Sequence, residues 1–368
     1  MMHGVWVKIN PDQGHALNRP SITNRAYEFY HSLPKVELHR HLEGSLRLET
    51  LIEVARAHGI NIMSTGRLRE LVQVNESEPL TFQNFLSKFA TLRLFYRTPE
   101  IIERVTREAV ADAAADNVRY MELRFTPMAL SASRDFSLAE VMDWVIEGAQ
   151  EAQQANPLIT VGLIASFNRH ESVSAAEQVA QLSADRLGKG ILGLDISGNE
   201  AEFPVRPFEG VLHEAQKAGL RITAHAGEWG AASNVVEAIV SLKVDRIGHG
   251  VNVMDDELAI GLARETGTTL EVCITSNYQS GVVPVLKAHP LPHMLSEGLN
   301  VTINTDDPSI SQITLSNEYR VACEELGLTL AMLRGRVLAA AQATFLPADE
   351  KQALVKTLST EFDKVIPH

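Results

Sequence analysis

Cysteine is scarce in this chain of 368 residues, which contains Cys273, Cys323 and no others. Neither belongs to a Cys-x-x-Cys pair, so a cysteine-based metal site is excluded and no disulfide framework is implied. A reducing, cytoplasmic environment is therefore expected. We expect Cys273 to be a small buried hydrophobic residue on a strand.

Long apolar runs and basic charge are also lacking. No run approaches the roughly 18 apolar residues of a bilayer-spanning helix, so no membrane partner is expected. The chain has 33 Lys and Arg against 46 Asp and Glu, a net charge of −13. Because a basic stripe is needed to bind a phosphate backbone, we expect no nucleic-acid partner; a small neutral or cationic substrate is compatible with this charge.

Short runs of β-branched and apolar residues alternate with longer stretches of helical periodicity. Eight strands, each followed by a helix, predict an α/β fold of the closed (β/α)8 TIM-barrel type, with an open doubly wound sheet as the alternative. The predicted strands span residues 35–41, 118–125, 159–166, 191–198, 220–227, 244–250, 269–275 and 300–307.

The stretch between the first two predicted strands, residues 42–117, is too long for one crossover helix. We expect several extra helices inserted after strand 1, at the catalytic end of the barrel, where they can cover it. No repeat or linker divides the chain, so one domain is expected over residues 34–368. Residues 1–33 lack the apolar core of a signal peptide and are expected to be an N-terminal extension on the domain surface.

Polar residues follow most of the predicted strands. In a barrel the carboxyl ends of all strands meet at one face, where active sites of this fold occur. One such histidine alone would more often be a hydrogen-bonded core residue, but several coinciding ends favour a metal or catalytic site. The strands end in His39-Arg40-His41, Gly198-Asn199-Glu200, His225-Ala226-Gly227-Glu228, His249 and Asp306-Asp307.

The segment VELHRHLEGS places His39 and His41 at positions i and i+2 of strand 1. Such side chains share a face, so both can bind one ion while Arg40 points away. A third histidine from strand 5 and an aspartate from strand 8 would complete the site and leave room for water. This donor set suits Zn²⁺ and does not exclude Fe²⁺ or Mn²⁺. The bound ion would convert water to a hydroxide nucleophile near neutral pH.

Four motifs occur in one order along the chain: HxH on strand 1, HAGE at residues 225–228, GHG at 248–250 and TDDP at 305–308. Together they resemble the adenosine deaminase family of the amidohydrolase superfamily. The similarity extends from about Leu33 to the FLPADEK segment near residue 345, which is most of the chain. It implies metal-dependent deamination of a 6-aminopurine, by hydroxide attack at C6 with release of ammonia. The metal ligands that it implies are His39, His41, His225 and Asp306.

The resemblance also implies roles for the remaining motif residues. Glu228 is similar to the proton donor to purine N1, and His249 to the residue that positions and deprotonates the attacking water. Asp307 resembles the partner of N7, and Gly198 the backbone contact near N3. The hydrophobic lid on the helix after strand 1 would consist of Phe82, Phe85 and Leu86.

General chemistry supports the assignment of Glu228, because attack at C6 pushes electrons onto N1 and an acid there removes the developing charge. The pKa of Glu228 must then be raised by burial. Structural alternatives are a helix cap for Glu228, a turn residue for Asp307 and core positions for the lid aromatics. Arg169, after strand 3, is expected to border the pocket. Glu122 and Arg124 are expected to pair within the barrel, and four histidines to lie on the surface or in loops: His58, His213, His289 and His293.

The exact purine is the open question. Glu43 of HLEG stands where adenosine enzymes usually have Asp, at a position associated with the ribose, and resembles the adenine deaminase branch. Asn199 also departs from the adenosine pattern, whereas CITSNYQSG and FLPADEK resemble it. We expect adenosine and 2′-deoxyadenosine as substrates, with adenine and 6-aminodeoxyfutalosine as alternatives. A nucleotide is disfavoured, since a phosphate requires a basic cluster and only Arg40 and Arg47 are near.

Two other classes of protein stay open on the sequence alone. One is a metal-dependent hydrolase acting on an ester, lactone or cyclic amide, and the other is an inactive purine-binding protein. The glutamate of HAGE favours a reaction that protonates a ring nitrogen over hydrolysis of an ester, lactone or cyclic amide. The complete set of metal ligands argues against an inactive binding protein.

Overall fold

Eight parallel strands, each hydrogen-bonded to the next in sequence order, form the centre of the computed structural model, which describes residues 24–75 and 77–366. This order confirms the predicted (β/α)8 barrel, because an open doubly wound sheet would reverse its strand order at a switch point. The strands are β1 (Lys35–His41), β2 (Val118–Phe125), β3 (Thr160–Asn168), β4 (Ile191–Ser197), β5 (Arg221–Ala226), β6 (Arg246–His249), β7 (Thr269–Val272) and β8 (Asn300–Ile303).

The barrel closes between β1 and the segment that follows β8. The backbone N–H of His41 donates to the carbonyl oxygen of Asp306 at 2.8 Å, and that of Asp306 donates to the carbonyl of His39 at 2.9 Å. These two bonds continue the parallel ladder beyond the last residue of β8. As a result, Asp306 is fixed next to both histidines of β1.

Helices surround the strands, and the described part of the chain contains seventeen α-helices. They are α1 (Asn24–Ser32), α2 (Leu48–His58), α3 (Thr65–Val72), α4 (Phe82–Leu92), α5 (Pro99–Ala115), α6 (Pro127–Ser131), α7 (Leu138–Ala155), α8 (Val173–Ala184), α9 (Glu209–Lys217), α10 (Ala232–Val240), α11 (Glu257–Thr266), α12 (Ile274–Gln279), α13 (Leu291–Ser296), α14 (Pro308–Ser311), α15 (Leu315–Arg320), α16 (Leu330–Ala343) and α17 (Ala348–Val365). Within these ranges no helix is both long and apolar enough to cross a membrane.

The insertion predicted after strand 1 is present as α2, α3 and α4, which precede the crossover helix α5. Thr81 begins α4 by accepting a hydrogen bond from the backbone N–H of Asn84, an N-cap that satisfies a free donor of the first turn. The Lys88 ammonium holds α4 in place by donating to the carbonyl of Glu70 on α3 at 2.7 Å and to the carboxylate of Glu78 at 2.6 Å. One side of α4 is thereby fixed over the mouth of the barrel.

The N-terminal extension predicted over residues 1–33 is described only from residue 24; residues 1–23 lie outside the described residues. Helix α1 is joined to the base of β1 through Lys35, whose ammonium donates to the carbonyl oxygens of His31 and Leu33 at 3.1 and 2.8 Å. Tyr30 and Leu33 are buried against the barrel. The domain boundary at residue 34 stays a prediction.

The interior of the barrel contains buried charges. Arg246 donates to Glu271 at 2.5 Å and also to Glu122, whereas Arg124 donates to Glu271 at 2.7 Å and to Asp195 at 3.3 Å. The expected pairing of Glu122 with Arg124 is therefore wrong, although both residues are buried. Glu122 pairs instead with Arg246 of β6, and Arg124 pairs with Glu271 of β7 and Asp195 of β4.

Strand β7 is shorter than predicted. It ends at Val272, because the backbone carbonyl of Cys273 accepts the first hydrogen bond of α12 from the N–H of Asn277 at 2.9 Å. Cys273 is buried, as expected, but it follows the strand and does not belong to it. Both cysteines are free thiols.

Candidate active site

Three histidines and one aspartate from four strand ends converge at the carboxyl end of the barrel. One ligand atom from each lies within 4.8 Å of the others. Nε2 of His39 is 3.3 Å from Oδ1 of Asp306, and Nε2 of His249 is 3.9 Å from Oδ2 of the same residue. All four residues, which include His225, are buried. We call this group, together with His41, the His/Asp cluster.

His41 joins the cluster from the same face of β1 as His39. Its Nε2 lies 3.4 Å from Oδ1 of Asp306 and 3.3 Å from Nε2 of His225. Arg40 lies between the two histidines in sequence and turns away, since its Nε donates to the hydroxyl of Ser45 at 3.0 Å. The HxH spacing therefore brings both imidazoles to one point.

The cluster fits a divalent cation on the chemistry of its donors. Burial holds the pKa values of His41 and His249 well below the usual histidine range, so both imidazoles are neutral at neutral pH. Nε2 of His39 is buried and has no hydrogen-bond partner. The ring nitrogens of His41 and His225 face each other at 3.3 Å, a contact that a shared cation satisfies. Imidazoles with one carboxylate are ligands that Zn²⁺ prefers.

Residues behind the cluster orient it. Nδ1 of His225 lies 3.5 Å from Asp195, and the hydroxyl of Ser276 donates to Oδ2 of Asp306 at 2.6 Å. Nδ1 of His39 contacts Glu271 at 2.9 Å. We did not predict these three supporting residues. The available signal was a lone acidic residue inside an otherwise apolar strand, as in LGLDIS for Asp195 and TLEV for Glu271.

The glycines of the motifs allow close packing at the site. A Cβ on Gly248 of GHG would lie 2.8 Å from Cε1 of His39, and a Cβ on Gly44 of HLEG would lie 1.8 Å from Oδ1 of Asp307. His249 and Asp306 themselves have positive φ angles of 60° and 67°. Left-handed backbone at residues other than glycine is concentrated at functional sites, where the surrounding structure enforces it.

A cavity of about 250 Å³ opens over the cluster. Helix α4 closes one side of it with Phe85, Leu86 and Phe89. Among the site residues predicted from the sequence, those that line the cavity are His41, Glu43, Phe85, Leu86, Gly198, His225, Glu228, His249, Asp306 and Asp307.

Two predicted contact residues, Phe82 and Arg169, do not line the cavity. The Arg169 guanidinium donates to the carbonyl oxygens of His225 and Phe203, so it supports the end of β5 and faces away from the cavity. Phe82 stacks on Trp229 with ring centroids 5.4 Å apart. Direct contact of Arg169 with a substrate is not supported by this placement.

Glu228 is buried in the cavity wall, with Oε2 3.6 Å from Nε2 of His249. Burial raises its pKa well above the usual range, and the carboxylates of Asp306 and Glu200 add to the effect. The burial of Glu228 thus favours its protonated form. Helix capping does not explain this residue, because α10 begins only at Ala232 and has no side-chain cap.

The turn that carries Glu228 is held by Glu200. The Glu200 carboxylate accepts hydrogen bonds from the backbone N–H groups of Gly227, Glu228 and Trp229, and from the side-chain amide of Asn234 at 2.9 Å. Four donors on one buried carboxylate leave this turn little freedom. These hydrogen bonds fix the position of Glu228 relative to the His/Asp cluster.

Asp307 stands at the start of the short helix α14, but its side chain forms no cap there. Its Oδ1 is buried without a partner. Burial, followed by the charges of Asp306 and Glu43, raises its pKa well above the usual range. Burial thus favours the protonated form of Asp307, which has one free oxygen at the cavity wall.

Glu43, Thr126 and Arg93 also line the cavity. Oε1 of Glu43 accepts a hydrogen bond from the backbone N–H of Thr126 at 2.6 Å, whereas Oε2 is buried without a partner. Burial raises the pKa of Glu43 to about 7. The sequence prediction considered only Arg40 and Arg47 as nearby arginines and missed Arg93. Arg47 pairs with Asp112 at 2.6 Å and does not line the cavity.

Comparison with known proteins places these features in a family. A family model described as adenosine deaminase matches residues 34–361. The adenosine deaminase of Clostridium perfringens (strain SM101 / Type A) is 34% identical to this chain over 325 residues, which cover 88% of this chain and 97% of that protein.

Solved structures give the same picture. The adenine deaminase of Arthrobacter aurescens has a TM-score of 0.82 and 29% identity, over 89% of this chain and 98% of that one. An amidohydrolase from Burkhoderia ambifaria with bound Zn has a TM-score of 0.86 and 27% identity, over 96% of each chain. The Arabidopsis ADAL protein complexed with IMP has a TM-score of 0.83 and 28% identity, over 92% of this chain and 100% of that one.

Proposed function

The chain belongs to the adenosine deaminase family, and we propose that it converts adenosine and 2′-deoxyadenosine to inosine and 2′-deoxyinosine with release of ammonia. The relatives named above include an adenosine deaminase and an adenine deaminase, and both names describe deamination of a 6-aminopurine. The observation that carries the proposal is the buried Glu228, whose pKa is raised by burial, in the same cavity as the His/Asp cluster.

The family is metal-dependent, and we assign the ion to His39, His41, His225 and Asp306. Zn²⁺ is the proposed ion, because the donor set suits it and the Burkhoderia relative contains it. When bound, the ion supplies hydroxide at neutral pH by lowering the pKa of water. The two free thiols are in keeping with a reducing compartment such as the cytosol.

Residues around the cavity have separate roles in the proposed reaction. Glu228 donates its proton to purine N1 while the C6–O bond forms, so no negative charge accumulates on the ring. The proton of the new C6 hydroxyl then passes to the amino group as the C6–N bond breaks, so ammonia leaves and the 6-oxopurine keeps the proton at N1. The proton that water released on becoming hydroxide restores the acid form of Glu228. Asp307, protonated, donates to N7, and Gly198 provides the backbone contact near N3. His249 contacts the attacking oxygen.

Phe85 and Leu86 of α4 exclude bulk water from this reaction. Both line the cavity, and Phe85 is 2% exposed. Excluding water strengthens the electrostatic contacts to the purine. Phe82 supports this lid from its rim by stacking on Trp229.

Glu43 and Arg93 in the cavity lining support a nucleoside over the free base. Glu43 presents an unpaired acceptor there, and Arg93 presents donors. A sugar hydroxyl both donates and accepts, so it can satisfy the two together, whereas adenine would leave Glu43 Oε2 buried and unpaired at a cost of roughly 1–3 kcal/mol. Because the Arg93 guanidinium can also pair with a phosphate, AMP must be tested as a substrate.

Ultraviolet assays on adenosine, 2′-deoxyadenosine, adenine, AMP and 6-aminodeoxyfutalosine test the proposal. We expect the two nucleosides to have the highest kcat/KM. A higher kcat/KM for adenine, AMP or 6-aminodeoxyfutalosine would replace the proposed substrate.

Glu228→Gln tests the proposed acid. The variant is expected to keep its metal and lose at least about 10²-fold in kcat, as for a positioned acid. The exposed Glu202→Gln is the charge-matched control. Nearly unchanged turnover of Glu228→Gln would remove the acid assignment.

A further inference from the structure

A chain of buried hydrogen bonds extends from the start of α13 to His249. The backbone N–H of Leu291 donates to Nδ1 of His289 at 3.1 Å. Nε2 of His289 lies 3.4 Å from Oδ1 of Asn277, whose Nδ2 lies 3.1 Å from Nδ1 of His249. His249, Asn277 and His289 are 1%, 0% and 3% exposed. We call these four residues the Leu291–His249 chain.

The backbone donor at Leu291 gives this chain one direction. Because Leu291 donates to Nδ1 of His289, that nitrogen must accept, and the neutral ring carries its proton on Nε2. Nε2 therefore donates to the Asn277 oxygen. The reversed amide of Asn277 would leave His289 with two accepting nitrogens, which a neutral imidazole cannot provide. The Asn277 NH₂ group consequently faces His249.

We propose that the Leu291–His249 chain sets the tautomer of His249, so that this residue faces the cavity as an Nε2–H donor. Nδ1 of His249 accepts from Asn277, and the proton of the neutral ring is on Nε2. The carboxylate of Asp306 agrees with a donor at Nε2, since its Oδ2 lies 3.9 Å away and can only accept.

This assignment separates His249 from the metal ligands that surround it. A nitrogen that carries a proton cannot bind an ion, so His249 lies within the cluster but is not a ligand. A protonated Nε2 also cannot accept the proton of the attacking water. In the reaction proposed above, on which this step rests, His249 donates a hydrogen bond to the attacking oxygen and orients it. Asn277 and His289 are positioning residues that act through His249.

Nuclear magnetic resonance on the zinc-loaded enzyme tests the tautomer without any substrate. With ¹⁵N-labelled histidine, the ring signals that disappear in His249→Ala identify this residue. We expect wild-type His249 to carry its proton on Nε2. A proton on Nδ1 would overturn the inference, whatever the activity of the enzyme, and turnover of adenosine by the wild type tests the proposed function separately.

Asn277→Asp extends the test to catalysis, because a carboxylate only accepts and would place the proton of His249 on Nδ1. We expect kcat for adenosine to fall by about 10²-fold or more, with little change in KM and with the metal retained, as when an oriented donor is lost. If His249 were instead the base, a carboxylate behind it would keep or raise kcat, and that result would contradict the inference. His293→Gln, an exposed histidine on the same helix as Leu291, is the control.

Discussion

Nδ1 of His39 lies 2.9 Å from Oε2 of Glu271 inside the barrel, and this contact determines which nitrogen of His39 faces the His/Asp cluster. The carboxylate can only accept, so Nδ1 carries the proton, and in the neutral ring Nε2 is the nitrogen that can bind an ion. Burial alone would raise the pKa of Glu271, but Arg124 and Arg246 lower it well below the usual range. His39 therefore has the tautomer of a metal ligand, opposite to that inferred for His249.

Replacing Glu271 with Gln is expected to weaken metal binding by about 10–100-fold, because the amide no longer fixes the His39 tautomer. Competition with a chelator measures the affinity. Glu265→Gln, on the exposed side of α11, is the charge-matched control. Since the change also leaves two buried arginines with less compensation, circular dichroism must show that the variant is folded. A folded variant with unchanged affinity would show that Glu271 does not orient the ligand.

His41 and His249 both lie near Asp306, and their alanine variants are expected to differ. His41→Ala removes a proposed ligand whose Nε2 is 3.4 Å from Asp306, so the purified protein is expected to lose its ion. His249→Ala removes a donor and is expected to retain the ion while losing turnover. Metal analysis of both variants decides the point. Full metal content in His41→Ala would exclude His41 as a ligand.

The barrel and the motif residues were predictable because both depend on local sequence patterns. The alternation of VELHRH places His39 and His41 on one face of a strand whatever the rest of the chain does. The (β/α)8 order adds only that all strand ends meet at one face, which brings His225 and Asp306 to the same place.

The supporting residues were not predictable, because their contacts join distant parts of the chain. Glu271 is 232 residues from His39 in sequence, and no periodicity in either segment indicates that they meet. His289 was expected on the surface or in a loop; it does lie in a loop before α13, but it is only 3% exposed. Its burial depends on the packing of α13 against the strand ends, which the short motif AHPLPH does not encode.

Glu43→Asp tests whether this side chain of the cavity lining distinguishes a nucleoside from a free base. The shorter side chain matches the usual adenosine pattern, and we expect the ratio of kcat/KM for adenosine to that for adenine to rise by about tenfold, the effect of one methylene on specificity. Glu49→Asp, exposed on α2, is the control. Identical ratios in the variant and the wild type would show that Glu43 does not contact the sugar.

His289 is expected to make the fold sensitive to acid. Burial lowers its pKa from an ordinary value of 6.5 to about 3. Below pH 6.5 the unfolded chain binds a proton on this histidine and the folded protein does not, so stability is complete above pH 6.5 and falls as the pH decreases toward 3. At pH 5 the loss from this group is about 2 kcal/mol relative to pH 8, at about 1.4 kcal/mol per pH unit.

Urea unfolding of wild type and His289→Gln at pH 8 and pH 5 isolates this contribution. Glutamine does not titrate, so the free energy of unfolding of the variant should fall less between the two pH values, by about 2 kcal/mol. The other histidines are common to both proteins and cancel in the difference. His293→Gln removes an exposed histidine of α13, four residues after His289, and should keep the wild-type dependence. Equal pH dependence in wild type and His289→Gln would mean that His289 is protonated, or reaches water, in the folded protein.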